Sequence, residues 1–230
     1  NISGNDGDDT IYGGAHIDVI DGGAGSNTIY SSAGNDVIFV TDGSDKIVYS
    51  GEFDTDLVKN ATSNDSIEFT DKAFNQLTFT RNDRTLEISD GTSTVQIDKF
   101  FNEDGSITGA DTDTAFDSII TNDQVAPHSI LTDAEIIINI NGDYTARNDY
   151  RQLIKGTGTV DNMDQNNKAR IEVGGVPSFS RENNGGLIVT GSSSGSITVS
   201  DFAWNADGSH DIAVNDTTTA GKNIKVTLSG

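Results

Sequence analysis

The apolar positions near the start of the chain repeat with a period of nine. Ile11, Ile20, Ile29, Ile38 and Ile47 stand at strict nine-residue intervals. Each lies two residues after an acidic or amide residue: Asp9, Asp18, Asn27, Asp36 and Asp45. A short fixed period predicts stacked structural units, not an ordinary globular fold. The units read GNDGDDTIY (4–12), GGAHIDVID (13–21), GGAGSNTIY (22–30), SSAGNDVIF (31–39) and VTDGSDKIV (40–48). Two weaker turns follow after single-residue slips. SGEFDTDLV (50–58) puts Leu57 on the ladder, and NATSNDSIE (60–68) puts Ile67 there.

Each half of the unit has its own task. The first six residues turn the chain, and glycine tolerates the positive φ that tight turns need. The last three form a short strand whose central aliphatic side chain points inward. Strands stacked at about 4.8 Å build a continuous but thin core. One buried aliphatic side chain per turn contributes roughly 1.5–3 kcal/mol. Ordering the backbone costs about 1 kcal/mol or more for each residue. The missing stabilisation must come from elsewhere, and the oxygen-bearing residue in every turn points to a cation. Calcium favours six to eight oxygens from carboxylates and carbonyls, and its binding then becomes part of the folding equilibrium. Three scattered His and no Cys speak against a softer metal.

The units resemble the RTX nonapeptide GGxGxDxUx, with U a large aliphatic residue, over residues 4–68. The resemblance implies a calcium-binding parallel β-roll whose turns alternate between two sides. It implies metal-binding roles for Gly4, Asp6, Gly7 and Asp9, then Gly13 and Asp18, then Gly22, Gly25 and Asn27. In the later turns it implies Gly34 and Asp36, then Asp42, Gly43 and Asp45, and finally Asp65. An ion would lie between a loop and the next loop on the same side. The sixth-position residues then pair as Asp9 with Asn27, Asp18 with Asp36, Asn27 with Asp45, Asp36 with Thr55, and Asp45 with Asp65. Seven turns allow at most five such sites. The Thr55 pair is the weakest, and Phe53 replaces a turn glycine there. His16, at another glycine position, reads as a tolerated turn residue.

A formal net charge of −22 and a pI near 4.1 set the partners. No basic patch is present to neutralise phosphate, which argues against nucleic acid. Acidic self-repulsion opposes compaction, and calcium would relieve it. The absence of Cys rules out a disulfide framework. No apolar run is long enough to span a membrane, and no N-terminal signal peptide is seen. The chain starts within a repeat, at Asn1-Ile2-Ser3, which points to a longer parent. The family resemblance implies type I secretion from a Gram-negative bacterium, through the type I apparatus, to the exterior or the cell surface.

The sequence predicts an all-β chain: a parallel β-roll over 1–68, an antiparallel capping region over 69–125 and a second β-rich module over 126–230. Within 69–125 the period changes from nine to two, in Leu77-Thr-Phe79, Leu86-Glu-Ile88 and Val95-Gln-Ile97. This segment resembles the region that follows RTX blocks, and a cap is what an exposed roll end requires. Residues 79–100 align with 179–202, matching Phe79 to Phe179, Arg81 to Arg181 and Leu86 to Leu187. The second module therefore reads as a flanking repeat without an intact roll before it. Strands are expected at 134–140, 169–173, 186–191, 196–202 and 224–228. Residues 148–156 fit a short helix or a strand.

No catalytic constellation emerges, and the chain reads as a non-enzyme. Gly191-Ser192-Ser193-Ser194-Gly195 matches G-x-S-x-G, but a nucleophile elbow needs a helix after it, and SITVSDF reads as another strand. His210-Asp211 could complete a triad only on paper. Trp204 reads as a partly buried core residue before a stacking platform. The leading expectation is a calcium-dependent module of a secreted toxin or adhesin. The alternatives are a glycan- or peptide-binding adhesion module in 128–230, with a host receptor as partner, and the non-catalytic tail of a secreted protease or lipase.

Overall fold

A computed structural model describes residues 1–107, 116–124, 126–147, 150–161, 169–173, 177–181, 187–191, 195–199, 210–216 and 222–228. Among the described residues the regular structure is strand throughout, apart from a single 3-10 turn, Phe74–Gln76. The fold is the all-β one that the periodicities predict.

Eight short strands build the repeat region: β1 (Ile2–Ser3), β2 (Thr10–Tyr12), β3 (Val19–Asp21), β4 (Thr28–Tyr30), β5 (Val37–Phe39), β6 (Lys46–Tyr49), β7 (Thr55–Lys59) and β8 (Ser66–Phe69). Each strand pairs in parallel with the second one along the chain, not the next. Odd strands therefore form one sheet in the order β1-β3-β5-β7, and even strands form the other, β2-β4-β6-β8. The register places like on like. Ile20 faces Ile2 and Ile38, while Ile29 faces Ile11 and Ile47. Ile20, Ile29 and Ile38 are fully buried between the two sheets. This is a parallel β-roll, and the aliphatic ladder is its core.

The structure corrects the reading of the sixth turn. Val58, not Leu57, continues the ladder: Val58 pairs with Ile38 and is fully buried, whereas Leu57 is only half-buried beside Val37. The turn is GEFDTDLVK, residues 51–59, and the irregularity is one two-residue insertion, Tyr49-Ser50, instead of two single slips. Tyr49 turns into the roll and packs against Phe53 and Phe69, at ring-centroid distances of 4.6 and 5.5 Å. An aliphatic core thus widens into an aromatic one where the roll ends. Asp54, with φ of 50°, takes the place of the turn glycine, so Phe53 does not substitute for it.

Both sheets are continued beyond the repeats. Strands β9 (Thr78–Asn82), β10 (Thr85–Ser89) and β11 (Thr94–Ile97) form an antiparallel meander, and β11 lies parallel on β7 with Ile97 against Val58. Strand β12 (Ser118–Thr121) lies parallel on β8 with Ile119 against Ile67, and β13 (His128–Ser129) closes that edge. Backbone groups at the end of each roll sheet are therefore paired.

The chain divides into two compact units, Asn1–Ile137 with Asp149–Arg151, and Ile138–Asn148 with Gln152–Gly230. The first extends past residue 126, because β13 pairs with β12 and Ile130, Ala134 and Ile136 are buried. The remaining strands are β14 (Glu135–Asn141), β15 (Tyr144–Thr145), β16 (Arg151–Asp161), β17 (Ala169–Glu172), β18 (Pro177–Arg181), β19 (Leu187–Gly191), β20 (Ser196–Val199), β21 (His210–Asp216) and β22 (Lys222–Leu228). Within the segment 148–156, residues 151–156 thus belong to a strand, not a helix. In the second unit β18-β19-β20 is an antiparallel meander, and β20 lies parallel on β16. Its register repeats that of β9-β10-β11: Phe79 faces Ile88 and Phe179 faces Val189, while Leu86 faces Ile97 and Leu187 faces Val199.

Candidate metal centre

The sixth-position side chains form two buried ladders, one on each side of the roll. In each step the backbone N–H of one sixth residue donates to the side-chain Oδ1 of the sixth residue two turns on. Asp9 donates to Asn27 at 2.9 Å, Asn27 to Asp45 at 2.8 Å, and Asp45 to Asp65 at 2.9 Å. On the other side Asp18 donates to Asp36 at 2.8 Å, and Asp36 to Asp56 at 2.8 Å. Asp56, not Thr55, is therefore the partner of Asp36, and Thr55 is exposed. The spacing that marks the other turns, Asp or Asn two places before the aliphatic residue, is present at Asp56 and Val58, and was the signal available in the sequence. Asn27, Asp36, Asp45, Asp56 and Asp65 are buried; Asp9 and Asp18 are half-buried.

Turn glycines let the loops stack this closely. A Cβ built on Gly25 would lie 2.3 Å from the Gly7 carbonyl oxygen, and one on Gly43 would lie 2.0 Å from the Gly25 oxygen. Both glycines also have positive φ, 113° and 128°. The carbonyls of Gly7 and Gly25 consequently line the side of the roll with oxygen. Gly34 stacks in the same way on the His16 carbonyl, which explains why a residue with a side chain is accepted at His16. Asp6 and Asp42 lie exposed on their loops, outside the buried ladder, although the Asp42 carbonyl accepts from Gly25 N at 2.9 Å.

Whether a cation fits depends on what each carboxylate's second oxygen meets. Asp9 Oδ2 is buried and has no hydrogen-bond partner. The point where a Cβ of Gly4 would sit is 2.8 Å from Asp9 Oδ2 and 2.2 Å from the Gly22 carbonyl oxygen. The Gly22 carbonyl oxygen thus packs where a side chain at residue 4 would stand, and the bare Asp9 Oδ2 lies beside the same point. A buried acceptor in that setting is costly without a positive partner. Calcium, which takes carbonyls and carboxylates alike, fits this donor set. Among the described residues no group of three or more His, Cys, Asp and Glu side chains is placed to hold a metal ion. Backbone carbonyls must therefore supply much of any coordination shell, as the stacked glycine loops allow.

Burial and like charge act on the rest of the ladder. Burial, followed by the neighbouring Asp18 and Asp54 charges, pushes the Asp36 carboxyl above its usual range despite hydrogen bonds from Asp18 and Ser31. Burial pushes Asp56 up to about 7 against the hydrogen bonds from Ser31 and Asp36. Asp65 is raised for the same first reason, opposed by bonds from Asp45 and Thr62. These carboxylates are closely spaced, dehydrated and short of positive charge, a condition that a divalent cation relieves.

Ser31 and Asp56 were not singled out by sequence reasoning, yet both sit at the centre of this arrangement. Ser31 Oγ lies 3.0 Å from Asp36 Oδ2 and also bonds Asp56 Oδ2. Ser193 and Trp204 lie outside the described residues. The hairpin β19-β20 brackets the G-x-S-x-G segment with strands on both sides, which is not the strand-then-helix setting of a nucleophile elbow. No helix among the described residues is long and apolar enough to cross a membrane.

Comparison with known proteins agrees with the geometry of the first turns. The family model of the RTX calcium-binding nonapeptide repeat (4 copies) matches residues 1–29 and 12–47. No curated protein sequence matches the chain. Among solved structures the chain is similar to the extracellular lipase LipA from Serratia marcescens, at 9% identity and a TM-score of 0.26, over 84% of this chain. The chain spans 38% of that protein's length. The N-terminal segment of the chain, residues 1–47, thus carries RTX calcium-binding nonapeptide repeats.

Proposed function

We propose that this chain is a calcium-triggered folding module of a larger secreted toxin or surface adhesin, exported unfolded by type I secretion and folded outside the cell. The observation that carries this reading is Asp9 Oδ2, buried without a partner beside the Gly22 carbonyl. A roll of this kind is incomplete without cations between its turns. Where calcium is scarce, the thin core and the net charge of −22 keep the chain open. At the roughly millimolar calcium of extracellular fluids, sites of modest affinity fill, and folding follows by mass action. Residues Asp9, Asp18, Asp45 and Asp65, with the carbonyls of the stacked loops, are the proposed ligands. Asp6 and Asp42, exposed on their loops, take part through their backbone.

Capping strands support the same reading, since β11 and β12 present preformed edges on which the last turns can order. The second meander, β18-β19-β20, repeats the register of the first and is proposed to share its origin. Far-UV circular dichroism during a calcium titration tests the proposal. Strand signal is expected to rise with calcium and to fall on adding a chelator. A chain with full strand content in chelator overturns it.

A further inference from the structure

We infer that the second unit contains a counterpart of the roll and its meander in which glycine replaces the ladder carboxylates, and that this counterpart orders without calcium. This rests on the calcium reading above and confines the metal's role to the first unit.

Two strand pairs correspond, β11 on β7 in the first unit and β20 on β16 in the second. Val95 lies against Asp56 and Ile97 against Val58. Ile197 lies against Gly158 and Val199 against Val160. Val58 and Val160 are both fully buried. Gly158 therefore stands two places before the buried aliphatic residue, where the first unit has Asp56. The neighbouring rung repeats the exchange. Ile38 pairs in parallel with Val58, and Tyr144 with Val160, so Gly142 stands where Asp36 does. In the first unit the Asp36 N–H donates to Asp56 Oδ1. In the second the loops close on each other directly. The Gly142 N–H donates to the Thr157 carbonyl at 2.9 Å, and the Gly142 carbonyl oxygen occupies the place where a side chain on residue 158 would begin. Both glycines have positive φ, 135° and 151°.

The turn from β15 into β16 is closed by a neutral amide. Gln152 is fully buried. Its Oε1 accepts from the Tyr144 hydroxyl at 2.7 Å and from the Arg147 N–H at 3.3 Å, and its Nε2 donates to the Arg147 carbonyl at 2.6 Å. An amide supplies acceptor and donors together, so this turn keeps its polar groups paired with no cation. Among the described residues of the second unit no carboxylate is buried, and Asp143 and Asp161 are exposed. The first unit buries Asp36, Asp45, Asp56 and Asp65. Dehydrated like charge is what couples folding to a divalent cation, and among the described residues it is confined to the first unit. The second unit has a core of Ile154, Val160 and Ile197 that involves no such charge.

Hydrogen exchange of the full chain, read by mass spectrometry in chelator and in calcium, tests the inference. Peptides within 138–147, 152–161 and 195–199 are expected to be equally protected in both solutions, while peptides within 2–69 gain protection only in calcium. Gln152→Ala is expected to lower protection within 138–147 and 152–161 to the same extent in both. If these segments are unprotected in chelator, or if calcium restores them in Gln152→Ala, the inference alone is overturned. Full protection of 2–69 in chelator overturns the calcium reading, and the contrast between the units with it.

Discussion

At the scale of single residues, the register of the sixth turn turns on Asp56. Its Oδ1 accepts the buried Asp36 N–H, whereas the neighbouring Thr55 side chain faces solvent. Asp56→Ala leaves a buried donor unpaired, at a cost of roughly 1–3 kcal/mol. Thr55→Ala removes an exposed side chain and should stay within about 0.5 kcal/mol of wild type. Urea denaturation at saturating calcium separates the two. Equal effects of both substitutions would contradict the register described here. Ile38→Ala, in the fully buried ladder, should cost about 2–5 kcal/mol in the same assay.

At the scale of elements, the cap depends on the turn between β10 and β11. Asp90 accepts from the backbone N–H of Ser93 at 2.8 Å and of Thr92 at 2.9 Å, and its other oxygen lies 3.0 Å from Lys72 Nζ. Burial pushes the Asp90 carboxyl up, but the Ser93, Thr92 and Lys72 bonds together hold it well below the usual range. The Lys72 ammonium is raised mainly by its bond to Asp90. The sign follows from linkage: an acid depressed in the folded state adds stability above its unfolded value, near 3.9, and loses it as pH falls through the folded value. Stability of the capped roll should therefore decline as pH drops below about 4. Asp90→Asn should lower stability at neutral pH and flatten that acid slope. An unchanged slope in Asp90→Asn, read by denaturation at several pH values, would assign the acid sensitivity to other groups. Ile97→Ala, which thins the contact of β11 with Val58, should cost about 2–5 kcal/mol.

For the molecule as a whole, charge opposes compaction and cations reverse it. A net charge of −22 is spread over 230 residues whose repeat region has only a narrow core. Calcium should reduce the hydrodynamic radius measured by dynamic light scattering. Magnesium at the same concentration should do so far less, because it demands near-ideal octahedral geometry and gives up water reluctantly. Compaction by magnesium equal to that by calcium would point to general screening instead of coordination. Sodium chloride at high concentration provides the screening control.

Much of this fold was legible in the chain because its strongest signals are local. A nine-residue period with an oxygen-bearing residue two places before each isoleucine specifies stacking, inward faces and turn positions, since strand and turn geometry repeat identically in every unit. Alternation in 77–97 likewise marked the meander that became β9-β10-β11. The tertiary structure alone decided three things. It chose Val58 over Leu57, because adjacent aliphatic residues are equivalent in sequence and only burial against Ile38 distinguishes them. It closed the two sheets separately, with Ile97 on Val58 and Ile119 on Ile67, pairings far apart in the chain. It also left Asp9 Oδ2 without a hydrogen-bond partner, while Asp36 Oδ2 accepts from Ser31 and Asp65 Oδ2 from Thr62. A ladder carboxylate's second oxygen is balanced or left bare by side chains and carbonyls of its own turn and the next on the same side, and no local motif records which of these supply a hydrogen.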